Sequence, residues 1–211
     1  TDRAVRLAAG RLLSIVVEQY AQLPRDARPD PWAEVLVRLV RIPAPLLTSG
    51  DARIQESCIL TMARLGRVRR DETFTEVAAA LVRSLYLPHV YLRALAYTET
   101  MQLAARRRCT TFQLLSQHLD VISPIAVDAM HSAPHGLVEL ARLLNMSQQT
   151  FLHTTLEHTL PHLVHQMVSG RRDEASQALR AIASAVGQSV PALCLNQTSD
   201  IFEHFFLQPD E

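Results

Sequence analysis

The sequence predicts an all-α fold, a right-handed α-solenoid of stacked helical hairpins. Three observations predict it. Apolar residues recur at three- and four-residue steps in segment after segment, as one face of a helix requires, and no stretch alternates as a half-buried strand does. Glycine is scarce, six in 211 residues, which counts against a β-sandwich or a glycine-rich nucleotide fold. The helical stripes also return at intervals of about 38–42 residues. With 48% hydrophobic and 20% charged residues, the composition is that of a folded chain and excludes a disordered one.

The first segment, 2–20, spreads Val5, Leu7, Ala8, Leu12, Leu13, Ile15, Val16 and Val17 over a wide surface, so its helix is expected to be buried on more than one side. It stops before Leu23-Pro24, and Pro24 to Pro31 reads as a proline-bearing loop. Asp30 then reads as an N-cap with Pro31 in the first turn, ahead of the stripe Trp32, Val35, Leu36, Leu39 and Val40; Pro43 and Pro45 end it. Asp51 opens a helix through Leu65 that Gly66 is expected to cap. Thr73 is expected to cap the next, with Phe74, Val77, Ala78, Leu81, Val82 and Leu85 inward. Pro88 breaks it, and a helix from Val90 to Ala105 follows. Pro124 and Pro161 fall within long first helices of later hairpins, where a missing N–H should produce a kink.

The repeat organises all of this. Trp32, Val35, Leu36, Leu39 and Val40 return 42 residues on as Phe74, Val77, Ala78, Leu81 and Val82. Ile54, Ser57, Cys58 and Leu65 return as Leu92, Leu95, Ala96 and Leu103, and they match Val5, Ala8, Ala9 and Val16 of the opening helix. In the second half, Thr111-Phe112 maps to Thr150-Phe151 and Ser189-Val190, and Leu140 and Leu143 map to Leu179 and Ile182. Two helices per unit of this length fall in the HEAT/armadillo range. One amphipathic hairpin cannot bury both faces, so stacking neighbours builds a continuous core. The expected organisation is one continuous helical-repeat segment over 1–211, basic across 1–108 and acidic and more divergent across 109–211. The bland alternative is a non-repetitive helical domain.

Charge sharpens the division. All 21 basic residues are arginine, which excludes chemistry that needs a lysine in the segment, such as a P-loop, a Schiff base or a kinase ATP site. Residues 1–108 carry 17 Arg against 11 Asp and Glu, and residues 109–211 carry 4 against 10. Any polyanion would meet the first half, while overall neutrality argues against a dedicated nucleic-acid binder. Cys58, Cys109 and Cys194 are odd in number and widely spaced, which suits a reducing compartment. No apolar run approaches the roughly 20 residues of a membrane span. Thr1 stands where an initiator Met would, so a fragment of a longer protein is expected.

The run from Gln55 to Arg67, the run from Leu92 to Thr98, Ser123 to Ala126, Phe151-Leu152 with Leu160 to Val164, and Ser189 to Cys194 resemble the HEAT-repeat region of fungal ATR-type checkpoint kinases, the UvsB group. In that family these patterns lie in the long helical array, near and preceding the stretch called UME. The resemblance covers most of residues 51–207; residues 1–50 match only as generic HEAT. It implies a large nuclear serine/threonine kinase as the parent chain. That kinase would act in DNA-damage signalling and pair with a regulatory subunit that recruits it to coated single-stranded DNA. For this segment it implies architecture and protein–protein interaction, with the regulatory subunit or other parts of the parent chain as partners. The family's ATP-binding and catalytic motifs have no counterpart here, so no catalytic residue and no cofactor is carried over.

The sequence also offers residues for sites of other kinds. His158, His162 and His165 share a helix face and could place two imidazoles on a metal, which would make a His-based helical enzyme the competing class. No cysteine or acidic pair joins them at ligand spacing, Glu157 should point off that face, and Pro161 disturbs it; polar histidines among Leu160, Leu163 and Val164 are the simpler reading. His131 and His135 straddle a loop as cap or surface residues. Cys109 follows three arginines, which can lower a thiol pKa, but it has no His–Asn or His–Asp arrangement nearby in sequence. The remaining candidate is an interaction ridge. Arg64, Arg67, Arg69 and Arg70 end one second helix, and Arg106, Arg107 and Arg108 end its equivalent one repeat later. Stacked turns would set the clusters side by side. The competing reading is that these arginines answer the helix macrodipole and the unpaired terminal carbonyls. A stand-alone HEAT adaptor is the alternative to the kinase segment.

Overall fold

The computed structural model describes residues 3–23, 38, 41, 43–68 and 71–198, and among these the regular structure is all helix, with no strand. Asp2, the Pro24–Pro31 loop with Asp30, the stripe of Trp32, Val35, Leu36, Leu39 and Val40, Arg69 and Arg70, and the apolar segment 201–207 lie outside the described residues. Among the described residues no single helix is long and apolar enough to cross a membrane. The chain divides into two compact units, 1–118 and 119–211.

In the first unit, α1 spans Arg3–Gln22, a 3₁₀ turn spans Ala44–Thr48, and α2 spans Ala52–Arg67. Then come α3 (Asp71–Ser84), α4 (Val90–Arg107), the short α5 (Thr111–Leu115) and a 3₁₀ turn at Ser116–His118. Helix α2 is the middle element, packed against α1, α3, α4 and the first 3₁₀ turn. Its stripe of Ile59, Met62 and Leu65 is shut from solvent together with Phe74, Leu81, Leu85, Leu92 and Leu103. Each such side chain contributes about 1.5–3 kcal/mol of burial. Asp51 caps α2 as its sequence position implies, accepting the Arg53 N–H at 2.9 Å.

Two expected boundaries are corrected. Gly66 does not cap α2: the helix runs through it to Arg67 and leaves at the extended Val68. The glycine is there for room. A Cβ on it would lie 2.8 Å from Leu103 Cδ2 and 3.0 Å from Val77 Cγ1, so α2, α3 and α4 converge at this point. Nor is Thr73 a cap. Helix α3 begins at Asp71, which puts Thr73 inside its first turn.

The second unit contains α6 (Leu119–Ala129), α7 (Pro134–Leu143), α8 (Gln148–Thr154), α9 (Leu156–Val168), α10 (Arg172–Val186) and α11 (Val190–Asn196). Helix α9 packs on α6 and α10, α7 on α6 and α8, and α11 on α10. Ile122, Leu140, Phe151, Leu160 and Ile182 form its dry centre. The two prolines do not simply kink long helices. The segment from Thr111 to Ala129 is interrupted by the 3₁₀ turn at Ser116–His118, ahead of Pro124, and the segment from Gln148 to Val168 is interrupted at Thr155, ahead of Pro161. At Thr155 the backbone leaves helical values (φ −102°, ψ 11°). Its fully buried hydroxyl donates to the Phe151 carbonyl at 2.9 Å, and the Thr159 hydroxyl donates to the Thr155 carbonyl at 3.0 Å. Hydroxyls thus partner the carbonyls around the break, which lets it sit in the core.

One turn occurs three times. Arg108, Asn145 and Gly187 each take left-handed backbone, with φ of 58°, 54° and 74°. In each case that residue's N–H and the next close the preceding helix: Arg108 to Ala105 and Cys109 to Ala104, Asn145 to Arg142 and Met146 to Ala141, Gly187 to Ser184 and Gln188 to Ala183. Two residues beyond each left-handed position stands a hydroxyl N-cap, Thr110, Ser147 or Ser189, which accepts the N–H of Gln113, Thr150 or Ala192. At Thr110 the Gln113 side chain also accepts the Thr110 N–H, completing a capping box. One helix is stopped and the next started within three residues.

Candidate interaction surface

The arginines at the ends of α2 and α4 have different fates. Arg64 and Arg67 both lie 3.8 Å from carboxylate oxygens of Glu18 on α1. Arg67 also reaches Glu99 on α4 at 3.3 Å, with Arg67 18% and Glu99 12% exposed. Glu18, Arg67 and Glu99 therefore form a charge ladder across three helices, its inner pair largely out of water.

Arg107 does something else. Its Nε and Nη2 both donate to the Gly66 carbonyl, at 3.2 and 2.9 Å, and its guanidinium lies 4.1 Å over the Phe74 ring. The His118 ring lies 5.2 Å from Phe74, and its Nδ1 is 3.1 Å from the Thr75 hydroxyl. The last turn of a helix leaves carbonyls without intrahelical partners and carries partial negative charge. Arg107 answers that need, but on the neighbouring α2 rather than on its own helix. The ends of α2 and α4 are accordingly brought together, and Arg107 is the bolt between them.

Arg106 and Arg108 are exposed, Arg108 being the left-handed residue of the first repeated turn. Arg69 and Arg70 lie outside the described residues. Of the seven ridge candidates, Arg64, Arg67 and Arg107 are thus engaged within the first unit, and Arg106 and Arg108 face solvent. Sequence reasoning identified the arginines and missed Gly66, Glu18, Glu99 and Phe74 as their partners. The one available signal was a glycine inside an otherwise unbroken helical stripe.

The histidine helix also differs from expectation. His162 Nε2 lies 2.8 Å from Asp128 Oδ1, on α6, and the Gln166 amide donates to the same oxygen at 2.5 Å. Burial pushes the Asp128 carboxyl up; the hydrogen bonds from His162 and Gln166, with the charges of His162 and Arg171, outweigh it and hold the group below its ordinary range. Glu157, expected to point away, approaches His158 Nε2 at 3.3 Å. His165 is exposed, and among the described residues no three His, Cys, Asp or Glu side chains gather as a metal site. His131 is exposed, whereas His135 in the first turn of α7 is half-buried, with its Nε2 shut from water and unpaired. Asp128, His131, Gln166, Arg171 and Glu174 border an open cleft of about 400 Å³, in which Arg171 already grips Glu174 at 2.9 and 2.6 Å. Among the thiols, Cys58 is buried and pushed up to about 11 by that burial, which makes it inert at neutral pH. Cys109 lies 3.7 Å from the Ala104 carbonyl.

No protein-family model matches this sequence, and no solved structure does. Among curated proteins, the protein kinase rad3 of Schizosaccharomyces pombe is 26% identical over 164 residues, which is 78% of this chain and 7% of the relative. The chain therefore spans well under a tenth of the length of the kinase it resembles, and the similarity supports the resemblance to ATR-type kinases.

Proposed function

We propose that this chain is a right-handed α-solenoid segment of HEAT-like hairpins, and that it acts as a non-catalytic scaffold within a nuclear DNA-damage checkpoint serine/threonine kinase. The observation that carries this reading is the turn repeated at 108–110, 145–147 and 187–189, because a stack of like hairpins needs like corners. The likeness to rad3 supports the kinase assignment of the parent chain. In such a stack small rotations between hairpins add up, so the segment would space and orient the kinase relative to its protein partners. The exposed Arg106 and Arg108, with Arg69 and Arg70, are proposed as the part of the basic ridge that a regulatory subunit or another part of the parent chain would contact. Direct nucleic-acid contact is the lesser role, given the neutral net charge.

Two measurements test this. Calorimetric titration of the chain with ATP should show no binding; stoichiometric binding would overturn the scaffold reading. In the full-length kinase, the combined change of Arg106 and Arg108 to Glu should weaken capture of the regulatory subunit and flatten its salt dependence. Equal capture by both forms across the salt series leaves the arginines as helix-end residues.

A further inference from the structure

We propose that the groove between α1 and α2 is a binding site for an extended acidic peptide, held by Arg11, Arg53 and Arg64. The two helices run parallel and close together. Ser57 stands so near Gly10 that a Cβ there would lie 2.5 Å from its Oγ, and the Ser14 and Thr61 hydroxyls are 2.9 Å apart. Along this seam the surface opens into a cleft of about 280 Å³.

Helical spacing builds the cleft. Arg53, Ser57, Leu60 and Arg64 follow at four-, three- and four-residue steps on α2, and Leu7, Arg11 and Ser14 at four- and three-residue steps on α1. Contacts between the helices join residues 47 or 48 apart, so Arg11 stands level with residues 58–59, midway between Arg53 and Arg64. At 1.5 Å of rise per residue the three cations spread over roughly 16 Å of helix. An extended peptide covers that length with about five residues, and its alternate side chains fall on one face about 7 Å apart. Acids at alternate positions of such a peptide would run along the line of guanidinium groups.

The cations are available to it. Arg11 and Arg53 are exposed, and among the described residues their side chains make no ion pair and no hydrogen bond. Arg64 lies 3.8 Å from Glu18, beyond hydrogen-bond reach, and Glu18 is shared with Arg67. The Ser57 hydroxyl, also without a partner among the described residues, adds a neutral donor. Glu56 is the acid on the cleft wall. It stands three residues from Arg53, yet it accepts the Tyr91 hydroxyl of α4 at 2.7 Å instead of a guanidinium. Guanidinium forks suit carboxylates, and Leu7 and Leu60 offer apolar wall to the stretches between them. Among the described residues no aromatic ring lines the cleft, so the bases of a single strand would find nothing to stack on, which favours a peptide over nucleic acid.

The test is fluorescence anisotropy of the 211-residue chain with a labelled peptide that carries glutamate at alternate positions and alanine between them. This peptide should bind, its glutamine counterpart should not, and rising salt should weaken the complex. Arg11→Gln combined with Arg53→Gln should weaken binding by about tenfold or more. The charge-matched pair Arg83→Gln and Arg180→Gln, at exposed arginines that do not line the cleft, should leave it unchanged. Glu56→Gln should tighten binding severalfold by removing a like charge, a gain that misfolding cannot produce. Equal binding of the two peptides overturns the proposal, as does equal loss in the two double variants. Tighter binding of a thymidine oligonucleotide of equal charge would assign the cleft to single-stranded nucleic acid and overturn the peptide.

Discussion

Arg107 illustrates how one side chain can carry several jobs that a smaller cation could not. A planar guanidinium donates twice to the Gly66 carbonyl while its face covers Phe74. Removing it leaves a carbonyl near the end of α2 without its charged donor, so Arg107→Ala is expected to destabilise the fold by about 1.5–3 kcal/mol. Arg107→Lys should recover only part of this, because an ammonium cannot make both the fork and the stack. Chemical denaturation of the three proteins checks the order. Asp128 gives a pH test. Its carboxyl is held below its ordinary value in the fold, so its contribution is present above about pH 4 and is lost as pH falls through the lowered value. The stability difference between wild type and Asp128→Asn should therefore shrink between pH 5 and about pH 3; a difference independent of pH would show that the His162 and Gln166 contacts do not hold the charge. At this scale the sequence displayed the arginines and histidines plainly. Their partners were hidden, because Gly66 and Arg107, or Asp128 and His162, meet only once the helices are stacked.

Elements were legible wherever a boundary has a chemical signature. Asp51 as a cap and the stripes of α2, α3 and α4 could be read directly. What escaped were boundaries set by packing: the helix passes through Gly66, and the segments bearing Pro124 and Pro161 break upstream of the ring. The repeated turn escaped for another reason. Gly187 advertises left-handed backbone, Asn145 does so weakly, and Arg108 does not advertise it at all. That last residue carries a steric cost that glycine would avoid, so Arg108→Gly should stabilise the first unit by about 1 kcal/mol. The same variant separates two roles. If Arg108 belongs to the proposed contact surface, the melting temperature rises while capture of the proposed protein partner falls. If it is only a corner residue, stability rises and capture is unchanged.

For the whole molecule, the helical class was readable because it rests on many positions at once, whereas the division at 118/119 has no marker beyond the nearby change of charge. That change has a measurable consequence. A soluble polyanion such as heparin should slow amide exchange in residues 1–118 and leave 119–198 unaffected, and the protection should fade as salt rises toward 1 M. Protection spread evenly over both units would mean that the opposite balances of the two halves do not govern what the surface attracts.

The crowding at Gly66 reaches beyond stability to which sequences this fold can visit. A methyl there meets Leu103 and Val77 at once, at 2.8 and 3.0 Å, and a smaller residue at 103 relieves the closer of the two contacts. Changes at these two positions should be sign-dependent on each other. Gly66→Ala alone is expected to cost about 1–3 kcal/mol, and Leu103→Val alone to cost something for the cavity it leaves, while the pair together costs less than the sum. Related chains should then divide into two classes, glycine facing leucine or alanine facing a smaller residue, with few intermediates. A double-mutant cycle on Gly66 and Leu103 measures that barrier directly, and additive costs would remove it.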